Sequence, residues 1–103
     1  MIASRYPLSD RTEEIAALCR SYQVLELSLF GSAVRDDFGP KSDLDLLVLF
    51  QPEAAIGFIG FAGLQRELST ILGRPVDLVP KRGLKPLIRD DVLASAEIIY
   101  AAE

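Results

Sequence analysis

"LFGSAVRDDFGPKSDLDLLVLF", Leu29 to Phe50, is the stretch on which the reading of this chain turns. It ends in the most apolar run of the sequence, Leu46 to Phe50, headed by two acids one residue apart, Asp43 and Asp45. Read as a strand, Asp43 to Phe50 places both carboxylates on one side, because side chains alternate with period two. Asp43, Asp45, Leu47 and Leu49 then share one face, and Leu44, Leu46, Val48 and Phe50 the other. The strand is apolar on both faces except at its start, where one face turns acidic. Like charges at that spacing repel, and a carboxylate beside a core is costly unless something compensates it.

Upstream, Ser9-Asp10 opens a helix, with Asp10 and Glu13 spaced as a capping box. Ile15, Leu18, Cys19 and Tyr22 follow the three-four spacing of a buried stripe. Val24 to Phe30 reads as a strand that stops at Gly31-Ser32. Ala33 to Arg35 can start a short helix, and Asp36 to Ser42 is loop chemistry. Downstream, Ala55 to Leu72 reads as a helix stopped by Gly73, its first half weakened by Gly57, Gly60 and Gly63. Val76 to Val79 is a short strand closed by Pro80, and it carries a third acid, Asp77, between Val76 and Leu78. Leu84 to Ala94 holds a last helix with Pro86 in its first turn, and Glu97 to Tyr100 a last strand. The order α-β-β-α-β-α-β, without repeat or linker, predicts an α/β (α+β) fold: a small mixed, mostly antiparallel sheet with helices against one face. Three acids at the ends of apolar strands converge on one site only if a cation joins them.

Composition narrows the chemistry. The chain has 103 residues, room for one domain (1–103) with one modest core. It has no histidine and one cysteine, Cys19, which reads as a buried small hydrophobe. A Ser-His-Asp or Cys-His nucleophile and a Cys/His zinc site are therefore excluded. Carboxylate oxygen remains for metal binding, which suits magnesium or manganese. A net charge of −4 argues against a dedicated nucleic-acid surface. No stretch approaches the length of a membrane span, and no signal-peptide layout opens the chain, so the expected compartment is the cytoplasm.

Gly31-Ser32, ten intervening residues, then Asp43-Leu44-Asp45 resembles the signature of the DNA polymerase β-like nucleotidyltransferase superfamily. Within it the short chain resembles the minimal nucleotidyltransferases, the MNT proteins. "LFGSAVR" (Leu29 to Arg35) resembles the entry into the motif and "SDLDLLV" (Ser42 to Val48) its acidic strand. "LGRPVDLV" (Leu72 to Val79) resembles the segment bearing the third acid, and "VLASAEIIY" (Val92 to Tyr100) the closing helix and strand. The family often has Gly directly after the Arg, where this chain has Asp36.

The resemblance implies a polymerase β-like nucleotidyltransferase fold and an adenylyltransferase that moves AMP from ATP to a hydroxyl. Asp43, Asp45 and Asp77 are implied as catalytic residues and as ligands of two Mg²⁺ or Mn²⁺ ions. Gly31, Ser32 and Arg35 are implied as nucleotide-binding residues. Larger family members carry a second domain for the acceptor, for which this chain has no room. The implied acceptor is therefore a small all-helical HEPN-type partner, as for the antitoxin half of HEPN–MNT toxin–antitoxin pairs, with neither membrane nor nucleic acid as partner. An alternative is a non-catalytic module that neutralises the same partner by occlusion; Asp36 speaks for it and the complete acid set against it. Lys81, Arg82, Lys85 and Arg89 read as a solvated basic helix face.

Overall fold

The apolar run after Asp45 needs cover on both sides, and the sheet supplies it by placing this strand inside. The computed structural model describes residues 11–31 and 43–102. Strand β2 (Leu44–Phe50) lies between β1 (Val24–Phe30) and β3 (Val76–Pro80), and β4 (Glu97–Ala101) lies outside β1. The order is β3-β2-β1-β4. β1 runs antiparallel to both β2 and β4, while β2 and β3 are parallel. This is the expected mixed, mostly antiparallel sheet. Parallel pairing of β2 and β3 requires a crossover, which helix α2 (Phe58–Leu72) provides.

The alternation read from the sequence fixes the layers. Leu27 and Leu29 of β1, Leu44, Leu46 and Val48 of β2, and Val76 and Leu78 of β3 are buried in one core. Helix α1 (Thr12–Ser21) adds Ile15, Leu18 and Cys19 to it, and α2 adds Leu64, Leu68 and Leu72. Each wholly buried leucine contributes roughly 1.5–3 kcal/mol by leaving water. Cys19 is buried as expected, and burial pushes its thiol up to about 12. The opposite face is partly covered by helix α3 (Pro86–Ser95), which meets β1. Its Leu93, with the following Ala96, lines a cleft with Ser28 and Leu47. Leu47 is buried on that face, so β2 loses its exposed side immediately beyond Asp45.

The outward N–H donors of β3 are capped from α2. The Val76 N–H donates to Ser69 Oγ at 3.1 Å, and the Leu78 N–H donates to Gln65 Oε1 at 3.0 Å. Two side chains of α2 thus occupy donors that a foreign strand would otherwise seek.

Some boundaries differ from the sequence reading. α1 begins at Thr12 with Arg11 in the N-cap position and no side-chain cap from it; Ser9 and Asp10 lie outside the described residues. α2 begins at Phe58 rather than Ala55, because Gly57 is extended (φ −89°, ψ −171°) and supplies no capping side chain. Its C-terminus agrees: Gly73 is left-handed at φ +71°, and its N–H donates to the Ser69 carbonyl. α3 begins at Pro86, whose ring suits a first helical position. Among the described residues no helix is long and apolar enough to cross a membrane.

Candidate active site

Three strand ends meet at one corner of the sheet. Phe30, the last residue of β1, is the register partner of Asp45, and Asp45 is the register partner of Asp77. Register partners share a face, so the two carboxylates lie side by side on adjacent parallel strands, about 4.8 Å apart at the backbone. The register is anchored immediately upstream, where the Leu44 N–H donates to the Pro75 carbonyl at 2.9 Å. Asp45 is half-buried and Asp77 exposed, while Asp43 stands exposed directly before β2.

Gly31 makes this corner sterically feasible. It leaves β1 with φ +70°, in the left-handed region where a side chain is strained. A Cβ at this position would lie 2.2 Å from Asp45 Oδ2 and 3.1 Å from its Cγ. The Asp45 carboxylate therefore occupies the space that any other residue at position 31 would fill. Beside it opens a cleft of 330 Å³ lined by Phe30, Gly31, Asp45, Asp91, Val92 and Ser95.

The structure thus brings together Gly31, Asp45 and Asp77, and leaves Asp43 at the rim. Ser32 and Arg35 lie outside the described residues. Asp91 and Ser95 of α3 were not singled out from the sequence. Four residues apart, they share a helix face, but nothing in that spacing says the face looks toward the strand ends. Lys81 departs from its reading as a solvated cation: its Nζ bonds Glu26 Oε1 at 2.7 Å. The pair links β1 to the end of β3 across β2, on the face that carries the acids.

Among the described residues no three acids, cysteines or histidines are gathered closely enough to hold a metal ion. The donor chemistry nevertheless fits a hard cation. Asp45 and Asp77 offer oxygen only, from neighbouring strands, beside a glycine that keeps the approach open. Asp43 is one residue ahead of the strand, where it can join them from the rim. Such a corner, with acids on one side and a left-handed glycine on the other, is suited to holding a polyphosphate through cations.

The comparisons with known proteins identify the family. Residues 13–99 match the nucleotidyltransferase domain family. The protein adenylyltransferase MntA of Thermococcus cleftensis is 38% identical over 79 residues, covering 77% of this chain and 76% of that protein. A solved minimal nucleotidyltransferase structure superposes with TM-score 0.72 at 37% identity, over 86% of this chain and 89% of the other. The fold is also that of the MNT antitoxin in complex with the tri-AMPylated HEPN toxin of Shewanella oneidensis: TM-score 0.65, 22% identity, 91% of this chain and 72% of that one. The strand-end acids, the left-handed glycine beside them and these matches place the chain in the nucleotidyltransferase domain family, as a nucleotidyltransferase of the minimal, MntA-like type.

Proposed function

We propose that this chain transfers AMP from ATP to a hydroxyl on a HEPN-type partner protein, as the antitoxin of a toxin–antitoxin pair. The observation that carries the reading is the register of Asp45 with Asp77 beside Gly31. The name of the MntA relative and the AMPylated toxin in the Shewanella complex support the group transferred and the kind of acceptor.

In the reaction, the acceptor oxygen attacks the α-phosphorus, the bond to the bridging oxygen of the β-phosphate breaks, and pyrophosphate leaves. Two Mg²⁺ ions, or Mn²⁺, held by Asp43, Asp45 and Asp77 would neutralise the charge that builds on the phosphate oxygens. Gly31 keeps the backbone low enough for the phosphates to approach. Ser32 offers them a hydroxyl and an N–H, and Arg35 a planar fork of donors. Asp77, the more exposed of the two register partners, takes the proton of the attacking hydroxyl. Because the acceptor comes from another molecule, holding it in line is most of the work, and the chain alone should turn over slowly.

The test is incubation with labelled ATP, Mg²⁺ and the HEPN-type partner. The partner should gain the mass of AMP and lose its toxic activity. Asp45→Asn and Asp77→Asn should each reduce labelling at least a hundredfold. If the Asp45→Asn protein silences the partner as well as the wild type, with no label in either case, silencing is by occlusion and the transferase reading fails.

A further inference from the structure

Asp45 borders two spaces. On one side it stands in register with Asp77, across the seam between β2 and β3. On the other opens the 330 Å³ cleft walled by Phe30 and Gly31 and by Asp91, Val92 and Ser95 of α3. The proposed transfer uses the first space and leaves the second unassigned. A nucleotide whose α-phosphate is held through cations at Asp45 has its sugar one ester linkage away. The acceptor, whose proton goes to Asp77, comes from the β3 side. The cleft on the β1 side is then open to the sugar or to the pyrophosphate arm.

The chemistry of the walls decides between them. Asp91 brings a negative charge and only hydrogen-bond acceptors. Ser95 Oγ lies 3.3 Å from the carbonyls of both Asp91 and Val92 and donates its one proton there, so what it has left for a ligand is lone pairs. α3 ends at Ser95, which adds the negative end of the helix dipole. A phosphate is anionic and offers acceptors alone, so each of these groups repels it. A pair of sugar hydroxyls brings two donors to two acceptors. Asp91 and Ser95 are four apart on one helix, with Cβ atoms roughly 5–6 Å apart, a gap that neighbouring hydroxyls can bridge. Phe30 and Val92 supply apolar walls for the carbon side of the ring.

The fold gains nothing from an acid at position 91. Near the C-terminus of a helix the dipole disfavours it, and the last turn of α3 holds no basic residue to offset it. Among the described residues its carboxylate makes no ion pair or hydrogen bond. Its value lies in what enters the cleft beside it.

We propose that Asp91 and Ser95 hold the two ribose hydroxyls of the nucleotide, and so select ribonucleotides over their deoxy forms. The assignment rests on the nucleotidyl-transfer reading above and adds the sugar subsite to it. A carboxylate that accepts from a ribose hydroxyl serves the same purpose in dinucleotide-binding folds.

The experiment titrates the full chain by calorimetry with the Mg²⁺ complexes of ATP, 2′,3′-dideoxy-ATP and inorganic tripolyphosphate. The wild type should bind ATP about tenfold more tightly than the dideoxy analogue, because the analogue leaves both acceptors unmet. Asp91→Ala should bind ATP as weakly as the analogue, with the affinity for the analogue unchanged. Ser95→Ala should lose part of the preference, about threefold. Tripolyphosphate should bind the wild type and both variants alike, and Asp90→Ala, next to the cleft residue but outside the lining, should behave as the wild type. The melting temperature of Asp91→Ala should be no lower than that of the wild type. A wild-type preference retained in Asp91→Ala or in Ser95→Ala overturns the proposal. So does a loss of tripolyphosphate binding in Asp91→Ala equal to its loss of ATP binding, which would make Asp91 a metal ligand. A wild type that binds ATP and the analogue equally, yet labels the partner, overturns the sugar subsite and leaves the transferase reading standing. If Mg²⁺-ATP binds no more weakly to Asp45→Asn with Asp77→Asn, the transferase reading fails and the subsite with it.

Discussion

Replacing Gly31 by alanine tests the steric argument for the active corner, because a second left-handed glycine serves as its control. Gly31 and Gly73 have nearly the same backbone, φ +70° and +71°. A side chain in that region costs about 1–2 kcal/mol at either position. The surroundings differ. Nothing lies within 4 Å of a Cβ on Gly73, whereas a Cβ on Gly31 would lie 2.2 Å from Asp45 Oδ2. Overpacking of this kind adds about 1–3 kcal/mol. Gly73→Ala should therefore cost about 1–2 kcal/mol and Gly31→Ala about 2–5 kcal/mol. In a domain of this size each kcal/mol lowers the melting temperature by about 4–8 °C. Denaturant titration of both variants, alone and in the Asp45→Ala background, reads the two contributions apart. With Asp45 truncated, the cost at Gly31 should fall toward that at Gly73, while the cost at Gly73 should not change. Equal losses at the two glycines, or a Gly31 loss untouched by Asp45→Ala, would refute the claim that Gly31 makes room for the carboxylate.

Cys19, with its thiol pushed up to about 12 from 9.0, favours the folded state less as pH rises. The unfolded chain releases this proton first, so stability should fall from about pH 9 upward; Cys19→Ala, though weaker overall, should flatten that part of the curve. Iodoacetamide at pH 8 should label Cys19 only in denaturant. Gln65→Ala should cost about 0.5–1.5 kcal/mol by stripping the Leu78 N–H of its acceptor, and the variant should aggregate faster than wild type on gentle heating. Mg²⁺ with ATP should raise the melting temperature more than either alone, by the equivalent of about 2.7 kcal/mol at a hundredfold excess over Kd, and Asp45→Asn with Asp77→Asn should abolish the gain. A double variant that still responds fully would mean the acids do not hold the metal nucleotide.

The strands were legible because their sequences alternate or run apolar over the right lengths. The two faces assigned to β2 are those observed, down to the acidic start of one of them. The matching places of Asp45 and Asp77 in apolar strands hint at their pairing, but the register itself depends on how α2 returns the chain, which no local pattern encodes. The start of α2 was misplaced because Ala55 and Ile56 are apolar and fit the helical stripe; the extended backbone at Gly57 decided against them. The place of α3 was not legible either. Its residues are mostly exposed, so its sequence carries a weak stripe, and only tertiary packing sets Asp91 and Ser95 beside Asp45. The basic segment was read as a solvated helix face, whereas Lys81 reaches back to Glu26; among the described residues Arg82, Lys85 and Arg89 make no ion pair.

The parallel seam between β2 and β3 gives the site a history as well as a geometry. Asp45 pairs with Phe30, next to Gly31, in one antiparallel pair, whose residues meet early because little chain separates them. Asp77 arrives only when the 58–72 helix has formed and carried β3 back alongside β2, a longer closure with a larger entropic cost. β3 is also the outermost strand, held on its free side by two side-chain acceptors. Strands so placed are among the first to exchange their amide protons in local opening. A molecule in which β3 has briefly lifted keeps its hairpin, its helices and Asp45, and has lost the group proposed above to take the acceptor's proton. On the role proposed for Asp77, competence for transfer is the last property gained in folding and the first lost, well before the fold itself.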